Sequence, residues 1–166
     1  ICQEIGLVPI VEPEVLMDGS HDIDMCDEVT ERTLHAVFSQ LYQQGVVLEG
    51  TLLKPNMVIA GNLCPTQAGA DEVAERTVNC LKRSVPAAVP GIVFLSGGQS
   101  DTDATQHLNA MNRGSNDLPW KLSFSYGRAL QAAPLKAWGG KNIEKGQQAF
   151  YIRAQENGAA CQGQYS

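Results

Sequence analysis

The chain has 166 residues, of which 43% are hydrophobic and 18% are charged, and its formal net charge is -6 at pH 7. This size and balance are typical of one globular domain and exclude a disordered chain. No apolar run approaches the roughly 18 residues that a membrane-spanning helix needs, so we expect no membrane partner. The acidic balance, without a basic stripe to neutralise phosphates, argues against nucleic acid as a partner.

The cysteines and histidines show no spacing that is typical of a zinc site. The three histidines lie far apart, and the five cysteines are scattered at Cys2, Cys26, Cys64, Cys80 and Cys161. We therefore expect reduced thiols, as in an intracellular protein, and neither a metal nor a cofactor.

Four times along the chain, a short apolar stretch typical of a strand precedes a longer stretch of helical period. The predicted strands are 7–12, 46–54, 91–96 and 121–125. The predicted helices are 22–44, 68–83, 101–112, 127–138 and 142–156. This alternation predicts the α/β class, with parallel strands joined by helical crossovers.

Four such units fit either a small doubly wound sheet or half of an eight-stranded barrel. Polar residues follow each predicted strand, at 12–14, 54, 96–98 and 125–128. A barrel brings all of its strand ends to one rim, whereas an open sheet would spread them along a line. We therefore favour the half barrel.

Three residues at the first two strand ends have the chemistry of a proton-transfer site. Lys54 is either a solvated lysine or a nucleophile, because a partly desolvated amine loses proton affinity and the neutral amine can form a Schiff base with a carbonyl. Glu12 and Glu14 are two residues apart, so their carboxylates should point the same way. They either face water or pass protons near an amine.

The last two strand ends have the features of a phosphate site. Ser96-Gly97-Gly98 and Ser125-Tyr-Gly127-Arg128 each precede a predicted helix. Glycines at such turns let backbone N–H groups approach an anion, and a helix N-terminus favours negative charge. An arginine can bind a phosphate through two hydrogen bonds. One glycine turn alone is often only a tight loop, but two consecutive units match the usual phosphate position of a barrel.

Five segments closely resemble class I fructose-bisphosphate aldolases. They are VEPE at 11–14, EGTLLKPNM at 49–57, FLSGGQS at 94–100, FSYGRAL at 124–130 and KAWGG at 136–140. The resemblance covers essentially the whole chain, and the order of the segments also matches. It implies a (β/α)8 TIM barrel, of which this chain supplies about the last four βα units plus a C-terminal helix. Residues 1–166 would then be a single-domain fragment, the second half of the barrel.

The resemblance also implies a reaction and its residues. The reaction is metal-independent, reversible cleavage of fructose 1,6-bisphosphate to dihydroxyacetone phosphate and glyceraldehyde 3-phosphate, a lyase step of glycolysis and gluconeogenesis. Lys54 would form the Schiff base, Glu12 would transfer protons, and Glu14 would lie beside Lys54 and tune its charge. The residues expected to hold a substrate phosphate are Ser96, Gly97, Gly98, Ser125, Gly127 and Arg128.

Relative to the family, we expect the chain to lack two parts. One is the set of earlier strands, which carries an acidic residue and two lysines of the site, and the other is the C-terminal tail. The resemblance further implies a cytoplasmic homotetramer that can bind cytoskeletal filaments. Two alternatives stay open. One is another sugar-phosphate barrel, an isomerase or decarboxylase without an imine, and the other is a non-catalytic half barrel that acts only as a scaffold.

Overall fold

The computed structural model describes residues 1–114 and 117–166. In these residues four parallel strands form one sheet in the order β1-β2-β3-β4. The strands are β1 (Ile10–Val11), β2 (Leu52–Leu53), β3 (Gly91–Phe94) and β4 (Lys121–Phe124). The helices are α1 (Ile23–Gln43), α2 (Ala70–Ser84), α3 (Asp101–Gly114), α4 (Arg128–Trp138) and α5 (Ile143–Ala160). The predicted α/β class is therefore confirmed.

The register of the sheet brings all four carboxyl ends to the same edge. Leu53 pairs with Val11 on one side and with Ile92 on the other, and Phe94 pairs with Phe124. Each strand is followed by a helix that returns the chain to the start of the next strand. The residues that follow the strands therefore lie along one edge, as expected of parallel βα units.

Strands and helices share one apolar core. Leu53, Ile92 and Phe94 of the strands are buried, as are Leu81 of α2 and Leu108 of α3. The strand β3 is almost entirely buried, which is typical of a parallel strand covered on both faces.

The predicted strand 46–54 is wrong in its first part. Leu48–Gly50 form a 3-10 turn, and the strand occupies only Leu52–Leu53. The side chain of Gln3 accounts for this, because it donates to the carbonyls of Val47 and Gly50 at 2.8 and 3.3 Å and accepts from the N–H of Val47 at 3.1 Å. The backbone groups that a strand would pair are thus satisfied by a distant residue.

The first strand is also shorter than the predicted 7–12. Leu7 and Val8 remain exposed, and only Ile10 and Val11 pair with β2. The helix boundaries lie within four residues of the predictions, and side-chain caps mark two of them. Asp22 accepts from the N–H of Met25 at the start of α1, and Asn142 accepts from the N–H of Lys145 at the start of α5.

The loop that follows β2 is part of the core. Residues 55–61 are all buried. Their backbone is bonded on several sides: the carbonyl of Pro55 accepts from the N–H of Leu95 at 3.1 Å, and the N–H of Val58 donates to Thr77 Oγ1 at 2.9 Å. This segment therefore packs like a strand although it has no regular secondary structure.

The five cysteines are free thiols, and Cys26 and Cys80 are buried. In 1–114 and 117–166, none of the helices combines the length and the apolar character that crossing a membrane requires.

Candidate active site

Lys54 and Glu12 meet at the carboxyl ends of β2 and β1. The backbone N–H of Lys54 donates to the carbonyl of Val11 at 2.7 Å, which continues the β1–β2 pairing by one step. The Nζ atom of Lys54 then lies 3.1 Å from Oε1 of Glu12. Only 20% of the lysine side chain is exposed, against 48% of the glutamate side chain. The pair therefore joins a mostly covered amine to an accessible carboxylate.

Asn56 fixes the segment that carries the acidic residues. Its Oδ1 accepts from the N–H of Val15 at 3.0 Å, and its Nδ2 donates to Thr30 Oγ1 at 3.0 Å and to the carbonyl of Met57 at 3.1 Å. Asn56 is only 4% exposed, so these bonds are shielded from water. One buried amide thus holds the chain after β1 against the chain after β2.

The turn after β3 needs its two glycines for different reasons. Gly97 and Gly98 have φ angles of +33° and +77°, in the region that favours glycine. A Cβ on Gly97 would also lie 2.8 Å from Cδ1 of Leu95, so the leucine side chain would have to shift, and 3.7 Å from Oε1 of Glu14. The turn is closed by the N–H of Gln99, which donates to the carbonyl of Ser96 at 3.0 Å.

The turn after β4 leaves the start of α4 without a side-chain cap. Ser125 extends the sheet, since its N–H donates to the carbonyl of Phe94 at 2.9 Å. Gly127 occupies the N-cap position, where no side chain of residues 1–114 or 117–166 caps the helix. Arg128 follows directly and is exposed. The Leu130 N–H donates to the carbonyl of Gly127 at 3.1 Å, so a cationic side chain occurs together with the first two N–H groups of an uncapped helix.

Several predicted site residues share one cleft of about 130 Å³. Its polar lining consists of Glu14, Asp18, Asn62, Gly97, Gly98 and Arg128. The structure thus brings the two glycines of the β3 turn together with the arginine of the β4 turn. A guanidinium next to carboxylates suits a ligand that has both phosphate and hydroxyl groups.

Glu14 lies with this cleft rather than in an ion pair. In the part of the chain that the structure describes, the ion-pair partner of the Lys54 ammonium is Glu12. Glu14 is oriented toward the Gly97 turn. A role of Glu14 in tuning the charge of Lys54 stays a prediction.

A buried network joins the helices that follow the two turns. The guanidinium of Arg153 donates to the carbonyl of Ala129 at 3.1 Å, to the carbonyl of Asp101 at 2.8 Å and to Thr105 Oγ1 at 2.8 Å. The hydroxyl of Tyr126 donates to the carbonyl of Ala104 at 2.9 Å, and burial raises the pKa of this phenol. These bonds set the position of the N-terminus of α3 relative to that of α4.

Sequence reasoning missed several residues around the turns. Asp18 and Asn62 line the cleft, and neither lies in a segment with a recognisable pattern. Arg153 and His107 each lie on a helix, yet both are buried, at 6% and 9% exposure. The signal that could have identified His107 is its position between the apolar residues Ala104 and Leu108 of α3.

The comparisons with known proteins agree with one another. A family model described as fructose-bisphosphate aldolase class-I matches residues 1–166. A probable class 1 fructose-bisphosphate aldolase of Xanthomonas axonopodis pv. citri is 61% identical over 168 residues, which is 99% of this chain and 50% of that protein. Fructose-bisphosphate aldolase B of Gallus gallus is 60% identical over 167 residues, which is 99% of this chain and 46% of that protein.

A solved structure gives the same result at the level of the fold. The fructose-bisphosphate aldolase from Plasmodium falciparum, determined in complex with TRAP and a small-molecule inhibitor, superposes with a TM-score of 0.96 and is 50% identical. The match covers 99% of this chain and 48% of that chain. The chain therefore spans about half the length of the relatives and of the solved structure that it matches.

Proposed function

Because the chain belongs to the class I fructose-bisphosphate aldolase family, we propose that the complete protein cleaves fructose 1,6-bisphosphate reversibly through a Schiff base on Lys54. The products are dihydroxyacetone phosphate and glyceraldehyde 3-phosphate. The observation that carries the proposal is the contact between Lys54 Nζ and Glu12 Oε1 at 3.1 Å. It places an amine and a proton acceptor together at the carboxyl end of parallel strands, where barrel enzymes hold their sites.

The Lys54–Glu12 pair is suited to forming the imine. The ammonium must lose a proton before nitrogen can attack the ketone carbon, and Glu12 lies within reach of that proton. The resulting carbinolamine must then lose water, for which the same carboxyl can return a proton to the departing oxygen. The protonated imine accepts the electron pair of the bond between the third and fourth sugar carbons as that bond breaks, while Glu12, again a carboxylate, takes the proton of the hydroxyl on the fourth carbon, which becomes the aldehyde.

The two turns are suited to holding a substrate phosphate. Gly97 and Gly98 permit a close backbone approach, and Arg128 supplies a guanidinium at the same cleft. Ser96, Ser125 and Gly127 belong to the same two turns. Contacts with a distant phosphate would position the scissile bond relative to Lys54.

The wider biological context belongs to this proposal as well. We propose a role in glycolysis and gluconeogenesis, a cytoplasmic location and a homotetrameric assembly. Cytosolic fructose-bisphosphate aldolases of Arabidopsis thaliana, 57% and 58% identical over 167 residues of alignment, support the location. A purely structural scaffold, with or without cytoskeletal binding, is not favoured, because the Lys54–Glu12 pair and the turns after β3 and β4 are both present.

Reduction with borohydride tests the Schiff base directly. The complete protein incubated with dihydroxyacetone phosphate and borohydride should gain one covalent adduct, located by peptide mass spectrometry at Lys54. Lys54→Arg keeps the positive charge but cannot form the imine, so it should lose the adduct and about a thousandfold or more of the cleavage rate. Lys121→Arg, at an exposed lysine of β4, is the matched control and should behave like the unchanged protein. An adduct on another lysine, or substantial turnover by Lys54→Arg, would refute the assignment.

A further inference from the structure

A hydrogen-bonded chain supports the β3 turn from the side of α3. The side chain of Gln99 donates from Nε2 to the carbonyl of Ser96 at 3.0 Å, in addition to the backbone bond between the same two residues. The Oε1 atom of Gln99 lies 2.5 Å from Nδ1 of His107. The carbonyl at the start of the turn is therefore fixed by two donors from one residue, whose side chain is fixed in turn by a histidine.

The direction of these bonds determines which nitrogen of the histidine carries a hydrogen. Because Gln99 donates through Nε2 to a carbonyl, its Oε1 can only accept. Nδ1 of His107 must then be the donor. Burial lowers the pKa of His107, which favours the neutral ring, and the bond to Gln99 then selects the form with the hydrogen on Nδ1. Asp103 acts in the opposite direction on this pKa but is the smaller influence.

His107 does not line the cleft that contains Arg128. It lines a neighbouring cleft of about 370 Å³, together with Gln99 and Asp103. Asn62 and Gly98 line both clefts, so they lie between the two. A ligand in the smaller cleft would therefore contact the turn on one side, while His107 supports the turn from the other.

We propose that His107 is a positioning residue for the phosphate-binding turn. Through Gln99 it fixes the carbonyl of Ser96 and, with it, the backbone N–H groups of Gly97 and Gly98. The identification of this turn as a phosphate site rests on the proposed function. The support itself rests on the hydrogen bonds of the described residues.

The test uses His107→Leu and His107→Asn in the complete protein. Leucine removes the donor, whereas the amide of asparagine can present an N–H close to the position of Nδ1. With the donor lost, the Michaelis constant for fructose 1,6-bisphosphate and the inhibition constant of inorganic phosphate should each rise about three- to tenfold. Turnover should change by less than about twofold, because the contact of Arg128 with the phosphate remains and still orients the scissile bond toward Lys54. The asparagine variant should stay within about twofold of the unchanged protein.

A second variant, Gln99→Met, tests the same link even if His107→Leu does not fold. Gln99→Met breaks the same link at a partly exposed position and should give the same rise in both constants as His107→Leu. The double variant His107→Leu/Gln99→Met should be no worse than either single one, since each removes the same support. The control is His35→Leu, at an exposed histidine of α1. Unchanged phosphate inhibition in His107→Leu, or an asparagine variant as impaired as leucine, would overturn the proposal.

Hydrogen exchange separates this inference from the proposed function. In ligand-free protein, the amides of residues 96–99 should exchange faster in His107→Leu than in His107→Asn, whatever reaction the enzyme catalyses. If borohydride fails to label Lys54 but exchange follows this order, only the proposed function fails. If Lys54 is labelled and exchange at the turn is the same in both variants, only the inference about His107 fails.

Discussion

The helices α3 and α4 follow neighbouring strands through similar turns, yet their N-termini differ. At α3, Oγ of Ser100 accepts from the N–H of Asp103 at 3.1 Å and donates to Oδ2 of the same residue at 2.7 Å. At α4, the N-cap is Gly127, and among the residues that the structure describes no side chain caps the helix. The first helix has a side-chain cap and two acidic residues in its first turn, whereas the second has neither, so the start of the second is the more favourable place for an anion.

Because of this difference, we expect the two turns, which look alike in sequence, to contribute differently to phosphate binding. The β3 turn contributes shape, because Gly97 and Gly98 bring its backbone close to Glu14 and Asn62. The β4 turn contributes electrostatic attraction, because the first N–H groups of an uncapped helix and Arg128 lie together. A serine and glycines after a strand do not reveal which of the two contributions a turn makes. The hydrogen bonds at the start of the following helix reveal it.

The largest expected effect comes from removing the residue that holds the two N-termini together. Arg153→Met would remove the donor to the carbonyl of Ala129, one of the two side-chain donors to the carbonyl of Asp101, and the ion pair with Glu156. We expect it to lower the free energy of unfolding of the complete protein by about 2–4 kcal/mol, measured by urea denaturation. Arg32→Met, at an arginine of α1 whose side chain is 76% exposed, should change it by less than about 0.5 kcal/mol. Equal effects of the two variants would show that the buried network does not stabilise the fold.

Arg128→Ala should weaken phosphate binding at the uncapped turn. Loss of a charged donor should raise the inhibition constant of inorganic phosphate about ten- to hundredfold. Turnover should fall as well if the phosphate contact orients the scissile bond. Arg113→Ala, which removes an exposed arginine from the last turn of α3, is the control and should leave phosphate inhibition unchanged. Unaltered inhibition in Arg128→Ala would remove this residue from the site.

Ser100→Ala should lower stability and leave phosphate binding unchanged, which is the opposite of the result expected from Arg128→Ala. Loss of the cap should lower the free energy of unfolding by about 1 kcal/mol. The inhibition constant of inorganic phosphate should change by less than about twofold, since the acidic first turn of α3, with Asp101 and Asp103, does not favour an anion. Chemical denaturation and phosphate inhibition of the same preparation check both parts. A large loss of phosphate affinity would mean that the α3 end also binds the ligand.

The smallest effect is a pH dependence of stability on the α3 side. Burial lowers the pKa of His107 in the folded protein, so the unfolded chain takes up a proton first as the pH falls. The contribution of this histidine should be complete above its ordinary pKa of about 6.5 and should be lost as the pH falls from there toward the lower folded value. Urea denaturation at pH 7.5 and 5.5 should show a smaller pH dependence in His107→Asn. The same dependence in both proteins would assign the effect to other groups.

Much of the fold could be predicted because the signals are local. Asp22 and Asn142 cap the helices that they precede, and the bonds reach only three residues. The parallel strands follow from alternation of strand and helix. The misassigned part of 46–54 shows the limit, because its conformation depends on Gln3, more than 40 residues away in sequence.

The candidate site likewise has one part that the sequence could predict and one part that it could not. Lys54 could be expected to meet the carboxylates after β1, because parallel strands end at one edge, but Glu14 was the residue expected beside it and Glu12 is the one that pairs with it. The link between His107 and the β3 turn could not be expected, since a histidine on the buried face of a helix usually indicates only packing. Arg153 was equally hidden, because only Glu156 among its partners is near in sequence and the other three lie 24, 48 and 52 residues away.

The buried loop 55–61 has a consequence for how such a chain can change during evolution. Surface loops usually absorb insertions and deletions because little packs against them. Here the segment after Lys54 bonds to Leu95, Thr77 and Val15 on three sides, so one added residue would displace several contacts at once. Length variation between relatives should therefore collect at exposed positions such as 43–45, where α1 ends. Between Lys54 and Gly61, it should be rarer than in the helices themselves.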